Sequence, residues 1–267
     1  MRDELSDIFG VFVPEPSHED PVRRAQIQMK RPQAKRFYTD VTVEADGDGF
    51  AVKLDGRAVK TPGKKLLALP TRAAAELVAQ EWRAQGETID PGSMPATRIA
   101  NTAIDAVSDQ SQAVFEDIVR YSGNDLLCYR ADGPQALVER QRERWDPVLA
   151  WLASAHSARF ILIEGVIHQE QPEEAVAAFS RALGPDMSAL ALACLHVVTT
   201  MTGSAFLTLA LRDRRLSLEE VWSLAHLDED WTDEHRGVDA EAEARRQARY
   251  TEIAAADALL KALDIRD

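Results

Sequence analysis

The sequence predicts an α+β protein: a small N-terminal antiparallel β-rich domain with one packed helix, followed by a larger all-α helical domain. Three observations predict it. Short runs of alternating apolar residues, separated by Asp-Gly turns, fill residues 37–70. The β signal nearly vanishes after Pro95. From there on, apolar residues recur at helical spacing and Gly or Pro punctuates the segments. The expected division is an N-terminal arm over 1–36, a β-rich domain over 37–95 and a helical domain over 96–267.

Each element has its own signal. "FYTDVTVEA" (Phe37 to Ala45) alternates as a strand does, "DGDG" (Asp46 to Gly49) is turn chemistry, and "FAVKL" follows as a second strand. "DGR" (Asp55 to Arg57) turns the chain again, and "AVKTP" and "KKLLALP" continue a meander of short strands. Thr71 is placed to cap a helix over Arg72 to Gln85, with Ala74, Leu77, Val78 and Trp82 on one face and Gly86 closing it. "TRIANTAIDAV" and "SQAVFEDIVRYSG" read as helices, the second ended by Gly123. The run from Gly133 to Ser157 reads as a long helix that Pro147 should kink or split near Trp145. "RFILIEG" reads as extended, and "QPEEAVAAFSRALG" as a helix with Pro near its start and Gly at its end. "SLEEVWSLAHLDEDW" and an Ala-rich helix from about Asp239 to Leu263 complete the chain.

Composition excludes several classes. With 267 residues, 45% hydrophobic and 28% charged, the chain can bury a core of ordinary size. A net charge of −13 argues against nucleic acid as the main partner, because phosphate binding needs clustered Lys and Arg. It suits solubility, or a basic partner. Two cysteines, Cys128 and Cys194, make no disulfide framework and no structural zinc site without histidine help, which points to a reducing compartment. The acidic start "MRDELSDIFGVFVPEPSHEDP" has neither the basic-then-apolar pattern of a secretory signal nor the Arg-rich pattern of a mitochondrial presequence. In "VRRAQIQMKRPQAKR" (Val22 to Arg36) six basic residues stand without an acid, a solvated arm. Met187 to Leu211 carries no formal charge and is long enough to span a bilayer. Its eight Ser, Thr, His and Gly residues and the lack of a strong basic flank on one side favour one or two buried helices of a soluble core, with a break near Gly203.

Nucleotide and hydrolase motifs are absent. "TPGKKLL" lacks the upstream Gly and the Ser or Thr of a P-loop, and "DGDGFAV" puts Val52 at the third fingerprint glycine and sits in a hairpin. The most unusual stretch is "HLDEDWTDEHRGVDAEAEARR" (His226 to Arg246), with eight carboxylates and two histidines. EF-hand registers from Asp228 or Asp233 fail at the sixth position, where Asp233 or Val238 stands instead of Gly. No thiolate joins His226 or His235 to make zinc ligation credible. A solvated acidic turn explains much: Asp239, Glu241 and Glu243 suit the positive end of a helix, and Glu241 and Arg245 are spaced as an ion pair. It does not explain all eight acids together, nor Trp231 among them.

Seven motifs in one order then carry a resemblance: "KRFY", "VKLDGRAVKTPGKKLLALP", "EW" (Glu81, Trp82), "MPATRIANTAID", "NDLLCYRA", "RQRERWDPVLAW" and "TGSAFLTLAL". Together, from about residue 35 to 250, they resemble the assembly chaperones of the ATP synthase F(1) sector, known in mitochondria as F(1)-complex assembly factor two. The resemblance implies a bacterial, cytoplasmic member that is not an enzyme. It implies a holdase that binds the free F(1)-ATPase α subunit, prevents its aggregation and hands it to the β subunit. No cofactor, metal, nucleic acid or stable membrane insertion is expected, and the free protein is expected to be monomeric. The family places an important carboxylate in its acid-rich C-terminal segment. Relatives are expected to carry Trp-Gly there, where this chain has Arg236 and Gly237. The role is therefore carried to Asp239 and Glu241 jointly, Glu241 first, with Trp231 and Trp222 as apolar anchors. Trp82, Trp145 and Trp151 are read as core or domain-interface aromatics, and Asp146 as the cap of a helix starting at Pro147. Arg140, Arg144 and Asp125 are read as a polar network joining the domains. Two other classes stand beside this: a metal-dependent or acid/base hydrolase using the C-terminal acids, and a structural adaptor without chaperone action.

Overall fold

The computed structural model describes residues 34–164, 169–237 and 239–264. Most of the basic arm, up to residue 33, lies outside these residues. The chain divides into two compact units, 1–109 with 261–267, and 110–260.

The first unit is built on an antiparallel meander: β1 (Val41–Asp46), β2 (Gly49–Leu54), β3 (Arg57–Ala58) and β4 (Ala68–Leu69). β2 is central, pairing with β1 on one side and with both β3 and β4 on the other. Asp55 and Gly56 both have positive φ (47° and 78°), the conformation a two-residue hairpin turn between right-twisted strands demands. The helix α1 (Arg72–Arg83) starts where Thr71 Oγ1 accepts the Ala74 amide at 3.1 Å. Its buried face, Ala74, Ala75, Val78, Ala79 and Trp82, lies on β1 and β2. Two carbonyls of edge strand β1 are taken by side chains: Arg83 donates to Val41 O (3.1 and 2.9 Å) and Arg72 to Val43 O (3.2 Å), which blunts part of that edge.

Helix α2 (Pro95–Asp105) also belongs to this unit, so the chain passes between units at 109–110, where the sequence reading puts a boundary near 95. Its first turn is held by Glu81 of α1, whose carboxylate accepts from Ala96 N, Thr97 N and Thr97 Oγ1, each at 2.7 Å. Burial raises the Glu81 pKa against the pull of these donors.

The second unit is mainly helical: α3 (Ser111–Ser122), α4 (Gln135–His156), α5 (Glu173–Leu183), α6 (Ala189–Thr202), α7 (Ala205–Arg212), α8 (Leu218–Ala225), α9 (Leu227–Arg236) and α10 (Ala240–Leu263), whose last turn falls in the first unit. One short parallel pair, β5 (Tyr129–Arg130) with β6 (Ile163–Glu164), interrupts the helices. Only the end of "RFILIEG" is strand, and Gly165 lies outside the described residues.

The uncharged segment forms α6 and α7, broken at Gly203 with φ +67°. Leu195, Val198, Phe206, Leu207 and Leu209 are fully buried there. The hydroxyls are bonded within the core: Thr199 to Leu195 O (2.8 Å), Thr202 to Val198 O (2.7 Å) and Thr208 to Ser204 O (2.9 Å). Burying a hydroxyl is tolerable once it has an acceptor. Among the described residues no helix is long and apolar enough to cross a membrane.

Two local expectations are corrected. Helix α4 runs on through Pro147 instead of splitting near Trp145. Trp145 is fully buried and donates its indole N–H to Leu224 O at 2.9 Å, which anchors the helix beside the proline. Asp146 is accordingly a mid-helix residue, not a cap, and pairs with Arg130 at 2.8 Å.

Candidate partner-binding site

The acidic stretch follows α8 and occupies α9 and the first turns of α10, all in the second unit. Helix α8 begins with a capping box: Ser217 Oγ accepts the Glu220 amide (3.2 Å) and the Glu220 carboxylate accepts the Ser217 amide (2.7 Å). Leu218, Val221 and Leu224 bury its inner face. The chain bends at His226, which is 2% exposed. Its Nδ1 lies 2.9 Å from Trp222 O and its ring lies 3.8 Å from the Trp222 ring. Burial pushes the His226 pKa below the ordinary imidazole value.

Helix α9 buries only Leu227. Its first turn holds Asp228, Glu229 and Asp230, where the helix dipole favours anions, and its last holds His235 and Arg236. Gly237 ends it with φ +88°. Most of these acids have partners from elsewhere. Asp228 accepts from Gln141 Nε2 at 2.8 Å. Asp230 lies 2.6 Å from Arg246 Nη1. Glu234 receives two parallel bonds from Arg140 of α4, at 2.9 and 2.8 Å, and these hold its carboxyl below the usual range.

Both tryptophans are half-buried. The Arg140 guanidinium lies over the Trp231 ring, 4.9 Å from its centroid, and the His235 ring is 4.2 Å away. Trp222 meets Tyr250 edge-on at 5.2 Å, with the Arg246 guanidinium 6.0 Å from its centroid. Asp239 and Glu241 are exposed and locally bonded. Asp239 accepts the Glu241 amide at 3.0 Å, and Glu241 pairs with Arg245 at 2.6 Å.

The structure therefore gathers each tryptophan with an acid and an arginine, and leaves Asp239 and Glu241 at the head of α10. Asp239 and Glu241 are bonded within the head of α10, to the Glu241 amide and to Arg245, while the tryptophans pack on Tyr250 and His235. Sequence reasoning missed Arg140, Arg246, Glu234 and Asp230 as a set. The three residues read as a domain-joining network serve separately inside the second unit: Arg140 on Glu234, Arg144 on Ser223 Oγ (3.2 Å), and Asp125 at the start of α7. Trp82 and Trp145 are fully buried, whereas Trp151 is half-buried beside a groove of about 400 Å³ that Arg144, Pro147, Arg215 and Leu224 also line. Among the described residues no three His, Cys, Asp or Glu side chains converge as metal ligands would. Cys128 and Cys194 are buried thiols whose pKa burial raises, so neither is an activated nucleophile.

Comparison with known proteins adds the lineage. Residues 35–153 match the family described as ATP12 chaperone protein. A candidate chaperone from Agrobacterium tumefaciens is 52% identical, with 98% of this chain and 97% of that chain covered and a TM-score of 0.86. Atp12 from Paracoccus denitrificans is 38% identical over 86% of this chain and 98% of its own, with a TM-score of 0.80. The mitochondrial protein atp12 of Schizosaccharomyces pombe is 23% identical over 163 residues, and the match spans 56% of that protein's length. The same small antiparallel sheet followed by helices is shared with the Paracoccus structure, and the match at 52% identity runs through the acidic helices as well. This chain belongs to the ATP12 chaperone family.

Proposed function

We propose that this chaperone is a holdase for the unassembled α subunit of the F(1)-ATPase, keeping it from aggregating until the β subunit takes its place. It acts by covering a surface and has no catalytic activity. It works as a monomer in a bacterial cytoplasm, without nucleotide, metal or nucleic acid. Its helical domain carries the binding surface, on α8, α9 and the head of α10.

One observation supports this reading most directly. On α9 a half-buried tryptophan stands beside an exposed carboxylate, and a guanidinium fits across both. An unassembled subunit exposes an interface that is part apolar and part Arg-rich, and such a surface is complementary to it. Glu241 and Asp239 extend the acidic patch with carboxylates that lie in solvent. The net charge of −13 adds long-range attraction for a basic face.

The test is light scattering of the isolated α subunit with and without the purified protein, beside an unrelated aggregating client. The wild-type chain should suppress scattering of the α subunit alone. Glu241→Lys should abolish capture while circular dichroism stays unchanged, since Glu241 is exposed and its ion partner Arg245 lies one turn away on the same helix. Normal capture by that variant removes Glu241 from the site. Equal protection of the unrelated client removes the specificity.

A further inference from the structure

We infer that Arg140 is a built-in competitor that occupies the client-arginine position on α9 and sets how reversibly the client is held. This rests on the binding surface proposed above and adds its regulation.

Trp231 and Glu234 stand three apart on α9, so their side chains are neighbours on one helix face. Together they offer what a guanidinium binds best: a flat π face and a carboxylate with two oxygens in the plane of the fork. Arg140, from α4, uses both. It lies over the indole at 4.9 Å and donates twice to Glu234 at 2.9 and 2.8 Å. The occupant is not buried: the Arg140 side chain is 34% exposed and that of Glu234 51%. An exposed arginine can leave for water without stranding a charge. A client arginine would thus exchange one guanidinium for another on the same acceptors. The exchange is nearly balanced, so the client is held loosely enough to be displaced by a competing subunit, with no nucleotide needed.

The second trio on the same surface is the internal contrast. Arg246 lies 2.6 Å from Asp230, but its side chain is only 20% exposed, and the Trp222 it approaches also packs on Tyr250 and His226. Its distance to the Trp222 centroid is 6.0 Å, the outer limit of such a contact. That arginine is part of the packing between α8 and α10, and its removal should loosen the fold, not open a site.

The experiment uses the full-length protein, with Arg140→Met to keep the stem on Trp231 and remove the fork. Binding of the purified α subunit is measured by biolayer interferometry. Arg140→Met should bind about two- to fivefold more tightly, mostly through slower dissociation, the range expected when an exposed competing ion pair is removed. Adding Glu234→Gln should erase the gain. In parallel, tryptophan fluorescence is followed while N-acetyl-arginine amide is added. Arg140→Met should give a saturable response that wild-type lacks, and the lysine analogue should give none. Unchanged or weaker α-subunit binding by folded Arg140→Met overturns the inference. If thermal melting shows that this variant is destabilised, Arg140→Lys keeps the charge but loses the two-pronged bond. It should still tighten binding by a smaller factor, and failure to do so overturns the inference equally. If wild-type does not bind the α subunit at all, the proposed client is wrong. The arginine-amide titration then decides the cradle by itself, a saturable response supporting it and none overturning it.

Discussion

Asp125 and Glu234 are both carboxylates of the helical unit, and they do opposite jobs. Asp125 is fully buried. It accepts from Leu127 N (3.0 Å), Ser204 Oγ (2.8 Å) and Phe206 N (3.0 Å), tying the turn at Leu126–Cys128 to the start of α7. Burial pushes its pKa up to about 7 in spite of those donors. Glu234 is half exposed and its partner is a mobile kind of side chain on another helix. The difference teaches how to sort the many acids of this chain. A carboxylate committed to backbone donors is architecture, because nothing from outside can replace those donors. A carboxylate committed to an exposed arginine is exchangeable, and that is where a partner can enter.

The comparison breaks most visibly at Asp125. Asp125→Ala leaves two amides and a hydroxyl buried without their acceptor, which should cost about 3 kcal/mol. Urea unfolding should show the midpoint falling, while capture of the α subunit per folded molecule stays at the wild-type level. A folded Asp125→Ala that no longer captures would place this interior acid in the function. The pH dependence gives a second handle. The folded-state pKa near 7 lies above the ordinary 3.8, so between those values the native state holds a proton that the unfolded chain has lost. Stability from this group is therefore greatest in acid and falls as pH rises to about 7. Asp125→Asn removes that slope. The melting temperature of wild-type minus that of Asp125→Asn should decline from about pH 4 to about pH 7 and then level off.

His226 gives the opposite sign. Its pKa is lowered below 6.5 by burial, so the native state resists the proton that the unfolded chain accepts. Its contribution is complete above that value and is lost as pH falls below it. Relative to His226→Gln, wild-type should lose thermal stability on acidification from pH 7 to pH 5.5. Since His226 sits against Trp222, the same acidification should change tryptophan fluorescence before global unfolding. No change ahead of unfolding would mean that the Trp222 packing does not depend on the neutral ring.

Which of these features the sequence reveals follows from the span of the interaction. The Thr71 cap, the Asp55-Gly56 turn, the stop at Gly203 and the Glu241–Arg245 pair each involve residues a few positions apart, and each is readable from local pattern. Helix α4 continues through Pro147 although local propensity points the other way, and the bond Trp145 makes beside it, to Leu224, spans 79 positions. The same limit hides the candidate site. Trp231 and the acids are conspicuous in the sequence, but Arg140 and Glu234 are 94 positions apart, and nothing local pairs them. The motif "RQRERW" marks Arg140 as a polar residue, but its partner on α9 is not legible from that motif.

Asp239 sharpens the comparison with the smallest expected change in stability, because it has features of both classes. It accepts the Glu241 amide at 3.0 Å, as an architectural acid would, yet it is exposed, as a partner-binding one would be. Asp239→Asn separates the two. Asn serves at a helix start about as well as Asp, so melting should move little, whereas Asp239→Ala should cost about 1 kcal/mol. Charge is what a client arginine would sense, and Asn lacks it. If Asp239 belongs to the grip, Asp239→Asn should weaken α-subunit binding at low salt, and the loss should shrink as salt is raised. If binding is instead unchanged for Asn and reduced only for Ala, then Asp239 acts by ordering the head of α10. The charge that meets the client would then be that of Glu241.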